Sequence, residues 1–256
     1  MSNLASSLAA AAQHVEAGDP DRFAATMATP ADLRARLWPL YAANVEIARA
    51  PWASAEPLVA EMRLQWWIDA LSELGAEGRV PDHALGLALA VQSRVAPVLV
   101  AIAEARRRDC WAEAFADAGE LRDYLAATSG QVYRAAGILL GAEAAEQDLL
   151  ADFGALAGLA AWLLAVPEMA RRGRPVLPGD AAEAALLARA AEAGLRSMHA
   201  RLRGASRAAR LAALPGWQTF AVLKRAAKFP ERVFDGTLAG SEFSRRFRLL
   251  LAAFRI

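Results

Sequence analysis

The sequence is poor in the residues that form disulfides, zinc sites and β-sheets. Its 256 residues include one cysteine, Cys110, and three histidines that lie far apart. An internal disulfide is therefore excluded and a zinc site is not expected. β-Branched residues are scarce and no segment alternates apolar and polar residues, so a β fold is not expected either. Since a lone thiol is more usual in a reducing compartment, we expect an intracellular protein.

Long uncharged runs are also missing. The longest, from Phe153 to Pro167, has fifteen residues, whereas a transmembrane helix needs roughly 20, and we interpret it as a buried core helix. The N-terminal segment 1–19 has apolar alanines but no basic residues ahead of them, so it does not resemble a leader peptide. We therefore expect a cytoplasmic protein, with peripheral attachment to the inner membrane as an option.

Ala, Leu, Arg and Glu, which favour helix, fill nearly every stretch. Hydrophobic residues make up 56% of the chain, and its length fits a single domain over 1–256. Asp19 followed by Pro20 predicts one helix start, and Thr29-Pro30-Ala31-Asp32 predicts another with a capping-box-like pair. Pro57 and Pro81 predict two more starts. The predicted helices span 30–49, 56–75, 81–105 (kinked at Pro97), 111–140, 144–171, 180–203, 215–228 and 241–254, with a mobile stretch at 203–213.

Charge is distributed unevenly along the chain. The net charge is +1, but residues 196–256 contain thirteen Arg or Lys and three acids and carry +10, which leaves −9 for residues 1–195. This asymmetry favours an anionic partner surface. Nucleic acid is not expected, because no helix-turn-helix, RNP or zinc-finger signature accompanies the basic residues.

The C-terminal segment SRRFRLLLAAFRI predicts a basic amphipathic helix. Its pattern places Phe247, Leu250, Leu251 and Phe254 on one face, and Arg245, Arg248 and Arg255 on another. Such a helix suits an anionic membrane surface or a partner groove, and docking on the protein's own body is the alternative. The residues predicted to contact a membrane or partner are Arg245, Arg246, Phe247, Arg248, Leu251 and Phe254.

Three blocks of the chain carry a recognisable pattern: RARLWPLYAANVEIARAPW (34–52), ELRDYLAATSGQVYRAAGILLG (120–141) and ALAGLAAWLLAVPEMARRGRPVLP (155–178). Together they resemble the squalene/phytoene synthase family of head-to-head prenyl-diphosphate synthases. The resemblance implies an all-α, isoprenoid-synthase-type helical bundle around a central cavity. We expect the helices near 30–50 and 145–170 to face each other across that cavity, with the stripes Leu37/Tyr41/Ala48 and Leu156/Leu163 as its apolar walls.

The sequence departs from the family at both aspartate-rich helices, whose carboxylates hold Mg²⁺ against the substrate diphosphate in active members. The first motif, aligned from Tyr41, has Ala48, Arg49 and Trp52 at its aspartates. The second has Ala161, Leu164 and Ala165 at its Asn, Arg and Asp positions, then Glu168, and Met169 for the last Asp. Because Mg²⁺ needs hard oxygen ligands, we expect no catalytic residues, no metal and no cofactor. Mg²⁺ is expected only under the alternative, an active prenyltransferase.

A fourth block, EPLVAEMRLQWWIDAL (56–71), together with NVEIA (44–48), is similar to a divergent branch of the family that also lacks the aspartates. That branch includes the mitochondrial complex I assembly factor with a squalene/phytoene-synthase-like domain and its bacterial relatives. The resemblance implies a role in respiratory complex I assembly or a related membrane-associated process. An isoprenoid or lipid carrier is a further alternative, since it would keep the cavity without the metals.

Candidate cavity or ligand contacts have both a functional and a structural interpretation. Glu46 and Arg63 are either remnants of a polar cavity or a structural ion pair. Arg171, Arg172 and Arg174 bind a phosphate or lipid headgroup, or are simply cations at a helix C-terminus. The full set of candidate contacts is Tyr41, Asn44, Glu46, Arg49, Arg63, Trp66, Tyr124, Glu168, Arg171 and Arg172.

Two further residues have interpretations that a structure can test. Trp67 lies on an apolar helical stripe and is predicted to be core, whereas the role of Trp66 is open. Cys110 lies in RRRDCW, where neighbouring arginines can lower a thiol pKa, but no histidine is nearby to form a nucleophilic pair. We interpret Cys110 as incidental.

Overall fold

The computed structural model describes residues 3–174, 177 and 179–254, and the regular elements in these ranges are all helical. This confirms the predicted all-α fold. Short 3-10 turns lie at Ala50–Trp52, Ser93–Val95 and Leu214–Gly216, and a π-helical turn lies at Ala126–Gly130. The α-helices are α1 (Leu4–Gly18), α2 (Pro20–Met27), α3 (Ala31–Arg49), α4 (Pro57–Glu77), α5 (Gly86–Val91), α6 (Ala96–Ala105), α7 (Arg107–Trp111), α8 (Ala118–Leu125), α9 (Gln131–Leu140), α10 (Ala144–Arg171), α11 (Ala181–Gly204), α12 (Arg207–Ala213), α13 (Thr219–Lys228), α14 (Arg232–Asp235) and α15 (Glu242–Ala253).

Two of the four predicted helix starts are confirmed in detail. Asp19 caps α2, because its carboxylate accepts a hydrogen bond from the backbone N–H of Arg22 at 3.0 Å, and Pro57 is the first residue of α4. The start of α3 differs from the predicted capping box, since Pro30 is the cap residue and makes no side-chain capping bond. No helix begins at Pro81.

Three predicted segments differ in their continuity. The segment 81–105 is not one kinked helix but two, because α5 ends at Val91 and Pro97 lies in the first turn of α6. The segment 111–140 is not one helix, because α7 ends at Trp111 and the chain becomes helical again at Ala118, where the Asp117 carboxylate caps α8. The stretch 203–213 was predicted to be mobile, but it contains α12, which buries Leu211 among other apolar side chains.

The longest helix, α10, lies in the core of the bundle and contacts α8, α9, α11, α12, α13 and α14. Small residues allow these close approaches. A Cβ atom at Gly154 would lie 2.8 Å from Tyr133, and one at Gly158 would lie 2.6 Å from Ser129. Among the described residues α10 is also the one helix long and apolar enough to cross a membrane, with a mean hydropathy of 2.0. Its packing is that of the predicted core helix, and half of that apolar window is buried.

Candidate functional site: the central cavity

A cavity of about 500 Å³ lies between the C-terminal halves of α3 and α10, as predicted for these two helices. The turn after α3, the junctions between α1 and α2 and between α6 and α7, the end of α8, the π-helical turn and the start of α9 form the rest of its walls. The predicted apolar stripes are only partly correct. Ala48 lines the cavity, whereas Leu37, Tyr41 and Leu163 are fully buried in the surrounding core and Leu156 lies outside the lining. Leu37, Tyr41 and Leu156 lie in turns that precede the cavity, whereas Leu163 lies beside it but on another face of α10, since Ala161, Trp162 and Ala165 line the cavity around it.

The positions aligned with the two aspartate motifs converge on this cavity. Of the eight aligned residues only Leu164 is outside its lining. Alanine, arginine, tryptophan and methionine therefore occupy the walls where the alignment places the metal-binding side chains. The seven lining residues are Ala48, Arg49, Trp52, Ala161, Ala165, Glu168 and Met169.

Four arginines, from four different parts of the chain, also line the cavity: Arg22, Arg49, Arg106 and Arg172. Arg22 is the most constrained, with a side chain 15% exposed. Its guanidinium lies over the rings of Tyr41 and Tyr133, 4.9 and 5.7 Å from their centres, and its Nε bonds the Asp19 carboxylate at 2.8 Å. Burial alone lowers the pKa of Arg22, but Asp19 and the two tyrosines more than offset it. The net pKa is raised, so Arg22 stays charged.

A second buried cluster of hydrogen-bonded side chains consists of Arg106, Asp109 and Tyr124. The Tyr124 hydroxyl donates to Asp109 Oδ2 at 2.7 Å and accepts from Arg106 Nη1 at 3.1 Å. Burial raises the pKa of Tyr124 above its usual value, so the hydroxyl remains a donor. Tyr124 also packs against Trp162 across the cavity wall. Tyr124 therefore fixes the position of Arg106 at the cavity.

Three polar atoms of the lining are buried and have no hydrogen-bond partner among the described residues. They are Nη1 of Arg22, Nε of Arg106 and Oδ1 of Asn44. An unsatisfied buried polar group costs about 1–3 kcal/mol, and such groups in native proteins call for an explanation. Two of the three are guanidinium donors, so a bound anion would satisfy them.

The carboxylates of the cavity are both engaged by arginine. Asp19 is paired with Arg22, and Glu168 with Arg171 and Arg172. No group of three or more His, Cys, Asp or Glu side chains suited to a metal ion occurs in the part of the chain that the structure describes. The positive charges therefore outnumber the carboxylates, and the lining has the character of an anion site.

The cavity mouth is closed on one side by Trp52. Arg172 and Arg174 both lie over the Trp52 indole, 5.3 and 4.9 Å from its centre. Arg174 also donates to the backbone carbonyls of Asp109 and Pro51, at 2.6 and 3.1 Å. Arg174 therefore clamps the exit of α10 to the turn after α3, a structural role, while Arg172 lines the cavity itself.

Three other candidate contacts lie apart from the central cavity. Glu46, Arg63 and Trp66 line an adjoining pocket of about 310 Å³ that also includes His83 and shares Arg49 with the central cavity. The Glu46 carboxylate pairs with His14, not with Arg63, because α1 packs along α3 and brings His14 to it. Trp67 is 4% exposed and Trp66 41%, which confirms Trp67 as a core residue.

The remaining candidates in the bundle are Tyr41, Arg171 and Cys110. Tyr41 is buried beneath Arg22, outside the lining, and burial raises its pKa to about 12. The Arg171 side chain is 74% exposed and is also outside the lining. Cys110 does not have the lowered pKa that its arginine neighbours suggested, since burial, with Asp109 and Glu61, raises it to about 11.

The C-terminal helix α15 lies on the body with an apolar face exposed. Phe247, Leu250 and Phe254 are 51, 53 and 80% exposed, as is Phe243 at 80%. Leu251 is 39% exposed and, together with Arg248, also lines a pocket on the body. Arg245 pairs with Asp21 and Arg246 with Glu242. Arg255 lies outside the described residues.

Sequence reasoning did not identify Arg22 and Arg106 as cavity residues. Arg22 follows an N-cap and Arg106 opens an arginine run, so each is typical of a solvated helix end. Only the packing of α2 and α6 against the bundle brings them to the cavity. No local pattern signals those contacts.

The sequence profile of squalene/phytoene synthase matches residues 15–239. A crystal structure of a dehydrosqualene synthase in complex with ligand is similar over 97% of this chain and 96% of its own, with a TM-score of 0.79 and 16% identity. The squalene synthase HpnC from Alicyclobacillus acidocaldarius is similar over 89% and 95%, with a TM-score of 0.72 and 15% identity. No curated protein matches the chain. At these identities the structural likeness establishes the fold alone.

Proposed function

Because the chain belongs to the squalene/phytoene synthase family, we propose that it is a member that has lost prenyl-diphosphate catalysis. We further propose that it acts in respiratory complex I assembly or a related membrane-associated role. The observation that carries the first part is the cavity lining. Seven positions aligned with the aspartate motifs line one cavity, and Glu168 is the only carboxylate among them.

Electrostatics supports this loss of catalysis. Ionisation of an allylic diphosphate depends on metal ions that take up leaving-group charge, an effect worth several kcal/mol. Each 1.36 kcal/mol is a factor of about ten in rate. Here Asp19 and Glu168 are neutralised by arginines, and Arg49 stands at an aligned aspartate position. The lining repels a divalent cation, so turnover is expected to fall by several orders of magnitude.

The surface of α4 supports a role in binding a protein partner. This helix lies in the block that is similar to the assembly-factor branch. Leu58, Met62 and Trp66, spaced four residues apart, are 66, 72 and 41% exposed, so they form an apolar stripe on one side of the helix. Exposed apolar stripes of this kind mark interaction sites. An assembly intermediate of complex I is the partner that the sequence resemblance favours.

The exposed face of α15 supports the membrane-associated part of the proposal. Four large apolar side chains along this helix are more than half exposed, and residues 196–256, about a quarter of the chain, carry +10. Interfacial helices combine shallow apolar insertion with attraction to anionic lipids. The four exposed side chains are Phe243, Phe247, Leu250 and Phe254.

A second candidate function is that of a carrier of an isoprenoid or lipid with an anionic headgroup. The observation that favours it is the pair of buried guanidinium donors on Arg22 and Arg106, which have no partner in the part of the chain that the structure describes. Arginine binds phosphate oxygens without a metal, through planar, paired N–H groups. A carrier of this kind would keep its ligand in the presence of a chelator.

The first experiment separates catalysis from binding. The purified protein is incubated with farnesyl or geranylgeranyl diphosphate and Mg²⁺, and products are measured against a no-protein control. We expect no squalene or phytoene, and turnover well above the control would contradict the loss of catalysis.

Calorimetric titration of the protein with farnesyl diphosphate in EDTA tests the proposed carrier function. We expect binding that Arg49→Gln/Arg172→Gln weakens at least tenfold, whereas binding that requires Mg²⁺ would favour the active prenyltransferase.

The second experiment tests the role in assembly. A strain lacking the protein is complemented with the wild type or with Leu58→Ser/Met62→Ser, and NADH:ubiquinone oxidoreductase activity of its membranes is measured. The matched control changes two exposed polar residues on the same helix, Asp69→Ser and Glu77→Ser. We expect the apolar-stripe variant to lose activity and the control to keep it. Full complex I activity in the strain that lacks the protein would overturn this role.

A further inference from the structure

A second pocket, of about 340 Å³, lies between α11, α13 and α15 and is separate from the central cavity. Its volume is in the range of small-molecule sites, roughly 300–1,000 Å³. Apolar side chains form most of the lining, including Phe153, Leu202, Trp217, Phe220 and Leu251. No position that the family alignment singled out contributes to it.

The charged residues in the described lining of this pocket are all arginines. Arg203, Arg210 and Arg248 line it, and no acidic residue is among the lining residues that the structure describes. The basic charges are close enough to act on their neighbours. Burial, and then the charge of Arg203, lowers the pKa of His199 in the lining. Burial and repulsion from Arg248 likewise lower the pKa of Arg225 on α13. The pocket is therefore a region of positive potential beside an apolar wall.

Trp217 supplies an additional polar group. It lines the pocket, and its indole N–H is buried without an acceptor among the described residues. Buried indole N–H groups usually find a hydrogen-bond partner. A ligand with an acceptor at this end of the pocket would satisfy it.

We propose that this pocket binds an amphiphile with an apolar chain and a single anionic head, either a carboxylate or a phosphate. The chain lies along Phe153, Leu202 and Phe220, and the head meets Arg203 and Arg248. Because α15 forms one wall, the ligand also holds this helix on the body. The proposal concerns a site other than the central cavity and stands whether or not that cavity binds a diphosphate.

The fluorescence of Trp217 reports on ligand binding, because Trp217 is the one tryptophan among the described lining residues of this pocket. The probe is 2-bromododecanoate below its micellar concentration, whose bromine lies beside the carboxylate and quenches indole fluorescence on contact. We expect saturable quenching that Trp217→Phe removes and Trp162→Phe, in the central cavity, retains. Quenching that depends on Trp162 instead would move the ligand to the central cavity and overturn the proposal.

Charge variants and competitors test the head and the chain separately. Arg203→Gln/Arg248→Gln should weaken binding at least tenfold, whereas the matched control Arg201→Gln/Arg246→Gln, on exposed positions, should leave it unchanged. Dodecyl phosphate should displace the probe, and inorganic phosphate or dodecanol at the same concentration should not. Equal displacement by dodecanol would refute the role of the arginines, and equal displacement by inorganic phosphate would refute the apolar chain. Circular dichroism of each variant checks its folding.

Discussion

The guanidinium of Arg172 lies over the indole of Trp52, 5.3 Å from the ring centre, and joins the end of α10 to the turn after α3. Trp52 stands at a position that the family alignment assigns to an aspartate, and both residues line the cavity. A contact between an aromatic ring and a cation, worth about 0.5–1 kcal/mol at an exposed site, therefore spans the mouth. In an active member the metal-binding carboxylates would stand at this place.

The contacts of Arg174 at the cavity mouth predict that Arg174 contributes more to the free energy of unfolding than its neighbour Arg171. Arg174→Gln removes the donors to two backbone carbonyls and the contact with Trp52, and should lower the free energy of unfolding by about 1–3 kcal/mol. Arg171→Gln, at a side chain 74% exposed, should cost less than about 1 kcal/mol. Urea denaturation measures both, and equal effects would contradict the structural role of Arg174.

The pairing of Asp19 with Arg22 predicts a second stability difference. Asp19→Ala removes the cap of α2 and leaves the largely buried Arg22 guanidinium without its carboxylate. The loss should be about 2–4 kcal/mol, since a lost cap costs about 1 kcal/mol and an unpaired buried charge costs more. The control is Asp21→Ala, which breaks the more exposed pair with Arg245 and should cost less than about 1 kcal/mol. Thermal unfolding of the two variants compares them directly, and a smaller loss for Asp19→Ala would refute the prediction.

The raised pKa of Cys110 predicts that its thiol reacts slowly with alkylating reagents. Because burial raises its pKa to about 11, the thiolate is a small fraction at pH 8, and the thiolate is the reactive form. Iodoacetamide should modify the native protein far more slowly than the urea-unfolded protein, and the native rate should climb as the pH rises toward 11. If Cys110 in the native protein reacted at pH 8 as fast as a free thiol, the neighbouring arginines, and not burial, would control its pKa.

The exposed face of α15 predicts binding to anionic vesicles. In flotation with phosphatidylserine-containing liposomes, Phe243→Ser/Phe247→Ser and truncation after Gly240 should each abolish most binding, because both remove the inserting side chains. Arg246→Gln should weaken binding only about fivefold, since one basic residue contributes about 1 kcal/mol near the surface. Arg245 and Arg248 face the body and contribute less. Equal flotation of all four proteins would place the membrane contact elsewhere or show that it does not exist.

The sequence predicted the parts of the fold that depend on local chemistry. Helical propensity and the cap at Asp19 are properties of neighbouring residues, so the helix content and the start of α2 follow from them. The break before Pro97 was missed because a proline in a first turn and a proline kink have the same local pattern. Arg22 was missed for a different reason. Its contacts, Tyr41 and Tyr133, are distant in the chain.

The polar attachment of α15 gives ionic strength two opposing effects. The helix has no buried residue, and an ion pair between Arg245 and Asp21 holds it to the body. Salt weakens this ion pair as well as the attraction of the helix to anionic lipid, since both are screened over about 8 Å at physiological ionic strength. A loosened helix, however, presents its phenylalanines more freely. Release and adsorption therefore oppose each other, and vesicle binding should decline with added salt less steeply than the +10 charge of residues 196–256 alone would suggest.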